Sequence, residues 1–381
     1  MKITILKDKL KEGINIIEKI STKSINLPIL NNVLFSTERN FLNLATTDLE
    51  IGVKWWALAK TEKEGKTAVP SRILSGFVNF LPNKSVNLES KGFDLEIECD
   101  NRRTVIKGVN PEDFPIIPQV SDEEKIEVPI KSFCNGLAGV VDVASFSSTK
   151  PEISGVYFLF QKNLIIMAAT DSFRLGEKKI YLDPPSALDK EYSLIVPQKA
   201  AREIINIFSE KEGSLKICFS PNQILFETPL PETSHPHVQL TSRLIEGDYP
   251  NYQEIIPKKY ETRVILSLEE LINQIKLASL FSGKINEIKL KIDASKGQIN
   301  FFSQNAEIGE YQSFLAGKVE GKPCEISFNY RFLLEGLLNI GLQQQKKSEV
   351  VLELSGPEKP AVLRMKDDES YLYLVMPIKS S

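Results

Sequence analysis

The sequence is poor in the residues from which reactive sites are usually built. Among its 381 residues are 4 cysteines and 2 histidines. Cys99, Cys134, Cys218 and Cys324 lie far apart with no Cys-x-x-Cys pair, which excludes the ligand pattern of a zinc cage and the framework of a disulfide scaffold. They are expected as reduced thiols of a cytoplasmic protein. His235 and His237, in ETSHPHVQL, have one residue between them and not the i, i+4 helical spacing of a zinc hydrolase, so they read as an exposed loop pair. Long hydrophobic runs are missing too. No stretch approaches the roughly 20 apolar residues that would span a bilayer, and MKITILKDKLKEG breaks its short apolar run at Lys7 and Asp8, so neither export nor a membrane partner is expected. Nor does one sign of charge dominate. A net charge of −3 excludes coating of nucleic acid by bulk attraction and leaves open a basic patch on one face.

Catalytic patterns are equally scarce. EGKTAV at 64 to 69 carries the GKT of a phosphate loop, but the first glycine of GxxxxGK[ST] would fall at Lys60, and the match fails. Asp367, Asp368 and Glu369 sit in a hairpin turn, where carboxylates are solvated. Asp48 and Asp171 each follow a threonine at a junction of two strands, a place where a short side chain hydrogen-bonds the backbone of the turn. Without a nucleophile, acid–base pair, metal cluster or phosphate cradle, no catalytic residue, metal or cofactor is expected. A binding protein fits better.

What the sequence does have is repetition. NLATTDLEIGVKWW at 43 to 56 returns as MAATDSFRLGEKKI at 167 to 180, and the interval from Asp48 to Asp171 equals that from Leu10 to Phe133 in the preceding helical segments. A third copy has QINFFSQNAEIGEYQSF, with Asn305 in place of the aspartate. The copies cover about residues 1–121, 122–253 and 254–381. Each contains a second helix, in VPSRILSGFVNFLP, VPQKAAREIINIFS and FNYRFLLEGLLNIG, followed by segments of period-2 alternation typical of antiparallel strands. The first helix places Leu10, Ile14 and Ile17 on one stripe, with Lys7, Lys11 and Lys19 opposite. The plan is a β-α-βββ motif used six times, in an α+β fold. Copies of about 125 residues are far longer than a solenoid repeat of 20 to 50, so globular domains in series are expected.

At this level of detail the chain resembles, end to end, the bacterial DNA polymerase III beta subunit family. The resemblance rests on NLPILNNVLF, TDLE at 47 to 50, EDFPIIP, ATDSFRL, IEGDYPNYQEIIP and YLYLVMPI, all in family order. It implies the DNA clamp fold: three repeated domains, each with two β-α-βββ motifs, in a head-to-tail dimeric ring round duplex DNA. It implies a sliding clamp that is not an enzyme. The implied partners are double-stranded DNA held without sequence preference, the polymerase III alpha subunit, the clamp loader complex, other polymerases and repair proteins that bring short peptide motifs, and a second copy of the chain.

Residue by residue, the resemblance assigns three sites. Lys7, Lys11, Lys19, Arg72, Lys131, Lys199, Arg202 and Arg331 would line the hole on exposed helix faces. Such contacts attract phosphates without reading bases. The DNA-facing arginine of the family falls at Ser24, with Lys23 adjacent. A peptide pocket would be formed by Ile153, Thr170, Phe173, Arg174, Leu175, Pro250, Ile255, Asn329, Phe332, Pro360, Val362, Leu374, Val375, Met376, Pro377 and Ile378, with Leu175, Leu374 and Val375 also suited to plain core packing. Phe173 stands where many relatives have histidine and Glu254 where some have arginine, which favours partners with apolar or basic flanks. For the dimer, Val105 and Ile106 in RTVIKG would pair with the region of Leu280 and Phe281 in LASLFSG. Two rival readings remain at this point: a peptide-binding scaffold of repeated α+β domains that never encircles DNA, and an enzyme with a site assembled between domains.

Overall fold

The computed structural model describes residues 1–21, 27–120, 124–145, 149–230, 235–342 and 348–379. The first stretch runs β1 (Lys2–Leu6), α1 (Lys7–Glu18), β2 (Asn32–Glu38), β3 (Phe41–Thr47), β4 (Ile51–Leu58), β5 (Lys60–Lys63), β6 (Lys66–Pro70), α2 (Ser71–Asn79), β7 (Ser85–Lys91), β8 (Asp94–Cys99) and β9 (Arg102–Ile106). The second runs β10 (Lys125–Pro129), α3 (Ile130–Val141), β11 (Gly155–Phe160), β12 (Leu164–Thr170), β13 (Arg174–Tyr181), β14 (Tyr192–Pro197), α4 (Gln198–Phe208), β15 (Ser214–Ser220), β16 (Gln223–Pro229) and β17 (Pro236–Arg243). The third runs β18 (Thr262–Ser267), α5 (Leu268–Ser279), β19 (Glu287–Asp293), β20 (Gln298–Asn305), β21 (Gly309–Ala316), β22 (Lys318–Gly321), β23 (Cys324–Asn329), α6 (Tyr330–Leu342), β24 (Glu349–Leu354), β25 (Ala361–Met365) and β26 (Asp368–Val375).

Every helix follows its strand without a spacer, and the residue at the joint explains why the backbone changes there. Pro70, Pro129 and Pro197 close β6, β10 and β14 immediately before a helix. Proline lacks the N–H that a continuing strand ladder would use, and its fixed φ suits the turn into a helix. Before α5 the joint is Ser267, whose hydroxyl accepts from the Glu270 N–H at 3.4 Å, while Glu269 and Glu270 place negative charge on the first turn. The six β-α-βββ motifs expected from the sequence are all present, with β5 and β22 as two further short strands.

The chain separates into two compact units. One comprises residues 1–130 and 206–244. It holds a five-stranded sheet of order β5-β1-β7-β8-β9 and an eight-stranded sheet of order β10-β15-β16-β17-β4-β3-β2-β6, all pairs antiparallel. Helix α1 packs on α2 and on the β3–β4 hairpin. A Cβ at Gly13 would overlap the Trp55 ring, so the approach of α1 to β4 requires glycine there.

The other unit comprises residues 131–205 and 245–381. Its nine-stranded sheet has the order β14-β11-β12-β13-β26-β25-β24-β18-β22, and its four-stranded sheet the order β21-β20-β19-β23. The central pairing sets Arg174 opposite Val375 and Leu175 opposite Leu374. Tyr371 and Tyr373 are fully buried, and Tyr373 passes under α6 where a Cβ on Gly336 would strike its ring. No helix among the described residues is long and apolar enough to cross a membrane.

Candidate functional site

The repeated phrase TD is a repeated turn. In the first copy the Asp48 carboxylate accepts from the N–H groups of Glu50 and Ile51 at 3.0 and 2.7 Å, and the Thr47 hydroxyl donates to the carbonyl of Ile51 at 2.9 Å. In the second, Asp171 accepts from the N–H groups of Phe173 and Arg174 at 2.9 and 3.0 Å, and the Thr170 hydroxyl donates to the Arg174 carbonyl at 2.7 Å. Leu49 and Ser172, at the tips, both have φ of 77°, and the side-chain hydrogen bonds are what hold these non-glycine residues in that conformation. These aspartates are therefore occupied in backbone support. In the third copy Asn305 accepts from the Glu307 N–H at 2.9 Å.

The second turn carries side chains that the sequence assigns to a peptide pocket. Beyond it, β13 pairs with β26, and the Met376 N–H donates to the Phe173 carbonyl at 2.8 Å, continuing the ladder past the end of the strand. Leu175, Val362 and Leu374 join Ala168, Tyr252 and Leu372 in one buried apolar cluster, with Met376 and Ile256 packed against it. Tyr252 donates from its hydroxyl to the buried Glu177 carboxylate at 2.6 Å. Pro377 and Ile378 follow along the edge, where the Ile378 N–H donates to the Ser327 carbonyl at 2.8 Å, near Asn329 and Phe332 at the start of α6.

Of the sixteen residues expected at a peptide pocket, Ile153, Thr170, Leu175, Val362, Leu374 and Val375 are buried. Phe173 (62% exposed), Pro250 and Ile255 stand out into solvent, and Asn329, Phe332, Pro360, Met376, Pro377 and Ile378 are half-buried. The accessible set is thus mostly aromatic, proline and aliphatic residues, with Asn329 as its polar member. Arg174 is almost enclosed, with 11% of its side chain exposed. Its guanidinium pairs with Asp171 at 2.9 Å and with Glu335, donates to the Asp142 carbonyl at 3.2 Å and covers the Phe332 ring. The ring of Phe173 stacks on the same Phe332. A side chain so fully engaged ties β13 to the start of α6.

The expected phosphate-facing cations divide into groups. Lys19, Arg72, Lys131, Lys199, Arg202 and Arg331 are exposed. Arg202 is bound to Asp142 at 2.7 Å, and Arg331 lies beside the Tyr330 ring. Lys7 does not extend from an exposed face as the helical wheel suggests: its side chain is only 12% exposed, because the start of α1 is tied by the Lys7 N–H to the Lys84 carbonyl. Lys11 is half-buried. Lys23 and Ser24 lie outside the described residues.

The residues expected at an interface also divide. β9 is an edge strand, and on it Val105 is 52% exposed while Ile106 is buried; successive side chains of a strand point to opposite faces, so Ile106 belongs to its own core. Leu280 (65% exposed) and Phe281 follow α5 in the turn that ends it. The edge strand of that region is β21, and Phe281 stacks on its Tyr311 with ring centres 5.9 Å apart.

The histidines also differ from expectation. His235 stacks on Phe41 at 3.9 Å, and His237 lies on β17 with 13% of its side chain exposed, its Nε2 3.4 Å from Glu12. Burial, then the charge of Lys211, pushes the His237 imidazole down to about 4. Apolar neighbours Phe41, Trp55 and Trp56, distant in sequence, bring this segment under cover. None of the cysteines is in a disulfide; Cys99, Cys134 and Cys218 are buried, Cys324 is half-buried, and burial pushes Cys134 up to about 12. Among the described residues no group of His, Cys, Asp or Glu is arranged to hold a metal.

Comparison with solved structures defines the class. The fold matches the DNA polymerase sliding clamp of Bacillus subtilis with a TM-score of 0.92 at 25% identity over 100% of both chains, and the polymerase beta subunit of Streptococcus pyogenes at 0.91 and 22%. It is the three-domain DNA clamp fold. Family models for the DNA polymerase III beta subunit match in chain order, the N-terminal domain at residues 1–118, the central domain at 120–251 and the C-terminal domain at 253–379. The chain belongs to the DNA polymerase III beta subunit family, the beta sliding clamps. Beta sliding clamps of Staphylococcus aureus and Staphylococcus epidermidis are 29% and 28% identical to it, over 100% of each chain.

Proposed function

We propose that the chain works as a non-catalytic processivity clamp, a head-to-tail homodimer that encircles duplex DNA and tethers the replicative polymerase. The single observation that carries this is the match of three consecutive beta-subunit models along the whole chain. Residues 1–121, 122–253 and 254–381 are the three domains in this reading, and the protein acts in the cytoplasm. The exposed Lys19, Arg72, Lys131, Lys199, Arg202 and Arg331 attract phosphates without reading bases, which a sliding ring requires. Closure is supported by β9 and β21, two sheet edges with open backbone groups that call for a partner.

The apolar anchor of a partner's peptide is taken by Phe173, Pro250, Ile255, Phe332, Met376, Pro377 and Ile378 over the floor of Leu175, Val362 and Leu374. Met376 adapts its shape to several anchors, which suits a hub that serves the polymerase III alpha subunit, the clamp loader, other polymerases and repair proteins. The test is topological. Loaded onto nicked circular DNA, the protein should be retained through gel filtration and released when the circle is linearised; equal retention on both forms would leave the non-encircling scaffold as the better reading.

A further inference from the structure

Beside the cleft the second unit has a groove of about 450 Å³ with a chemistry of its own. One bank is the sheet margin, where Tyr157 and Leu159 on β11 lie beside Ser193 on the edge strand β14. The other is the segment Tyr249–Gln253. Tyr157 stacks on Tyr249 at 5.0 Å, and Tyr252 meets both rings edge-on. The groove adjoins the proposed cleft: Pro250, read as part of the cleft, lines the groove, and Tyr157 and Tyr249 pack against the cluster that joins Tyr252 to Leu175, Val362 and Leu374.

Its charge has one sign. Glu191 is the sole ionisable acid or base lining it apart from the tyrosines, and Glu254 follows on the same segment. The Oε1 of Glu191 accepts from Gln161 at 2.7 Å, and no described residue engages its other oxygen. Lys190, one residue away, is turned onto the Tyr192 ring. Burial and then the charge of Glu191 raise the Tyr157 hydroxyl above its ordinary range, so the carboxylate's field reaches the aromatic bank.

We propose that this groove receives a lysine or arginine that flanks the apolar anchor of a partner peptide, its cation at Glu191 and its stem along Tyr157. The proposal rests on the reading of the cleft as a peptide site. A cation gains from the carboxylate and from the faces of tyrosine rings, whereas an acidic flank would meet Glu191 without a counter-charge.

The test uses a fluorescein-labelled peptide whose only large side chains are leucine and phenylalanine, and a set of variants with lysine placed in turn at each flanking position. Titrated against the full chain at low salt, at least one lysine peptide should bind about fivefold tighter than the parent. Glu191→Gln should abolish that advantage and leave the parent's affinity unchanged, and Glu191→Lys should transfer the preference to a glutamate at the same position. A lysine advantage that survives Glu191→Gln, or no advantage at any position, overturns the proposal. Failure of the parent peptide itself to bind overturns the cleft reading and this proposal with it, an outcome distinct from the other two.

Discussion

The guanidinium of Arg174 lies 4.7 Å from the centre of the Phe332 ring, joining β13 to the start of α6. The contact gathers a nearly enclosed cation, the carboxylates of Asp171 and Glu335 and the rings of Phe332 and Phe173.

Removing that cation strands the carboxylates. Arg174→Met should destabilise the fold by about 3 kcal/mol at neutral pH, the cost of leaving one side of an enclosed pair uncompensated. Burial already holds the Glu335 carboxyl above the ordinary value of 4.5, with Arg174 drawing it part of the way back. A raised carboxyl pKa means that folding is favoured by protonation, so the deficit of the variant should shrink as pH falls through Glu335's raised value. Urea unfolding at pH 8 and pH 5 checks this; an equal deficit at both would place Glu335 outside the effect.

The two TD turns should differ in sensitivity. Asp171 accepts from two backbone N–H groups, as Asp48 does, and in addition pairs with the enclosed Arg174 guanidinium at 2.9 Å. Asp48→Ala should cost about 1 kcal/mol and Asp171→Ala about twice that. Only the second should weaken a cleft-bound peptide, which calorimetric titration would measure.

His237 makes stability depend on pH. Its imidazole is pushed from 6.5 to about 4 in the folded chain, so the unfolded chain takes up the proton first. The stabilisation is complete above 6.5 and is lost as pH falls toward 4, amounting to about 2 kcal/mol between pH 7 and pH 5. His237→Gln should flatten that part of the pH–stability curve.

Salt dependence should separate the cations. Arg72→Ala removes an exposed arginine with no ion pair among the described residues, and should reduce the salt slope of duplex binding by about 0.9. Arg202→Ala should reduce it less, because Arg202 is engaged by Asp142.

If the proposed dimer forms through these edges, Leu280→Ala combined with Phe281→Ala should convert a pair of 42.9 kDa chains to single ones in light scattering, as should Val105→Glu. Ile106→Ala should leave the mass unchanged and lower stability by about 3 kcal/mol, as expected for an inward-facing residue. A mass change in Ile106→Ala with no loss of stability would reverse that assignment.

Local chemistry was the legible part of the sequence. The TD turns could be read at Asp48 and Asp171 because the backbone groups they hold lie within four residues, and the motif order followed from periodicity. What escaped depends on distant neighbours. Whether Ile106 or Val105 faces out depends on strand register. His237 looks like a loop residue until Glu12 and Trp55 are brought against it by pairing of β17 with β4. Lys7 fits the polar side of a wheel, and only the tie to Lys84 reveals that the helix start is covered. The tyrosine groove had no signature at all, since its banks lie roughly ninety residues apart in sequence.

The stretch matched by the central family model contributes β10 and β15–β17 to one sheet and β11–β14 to another. The unit that evolution duplicated is thus out of phase with the units that are compact. A fragment cut at the family boundaries would carry two raw margins, the flanks of β17 and β13 that β4 and β26 cover in the whole chain, each a template for pairing with a stranger. The central third of the chain therefore has both its outer strand edges covered by strands that its neighbours supply.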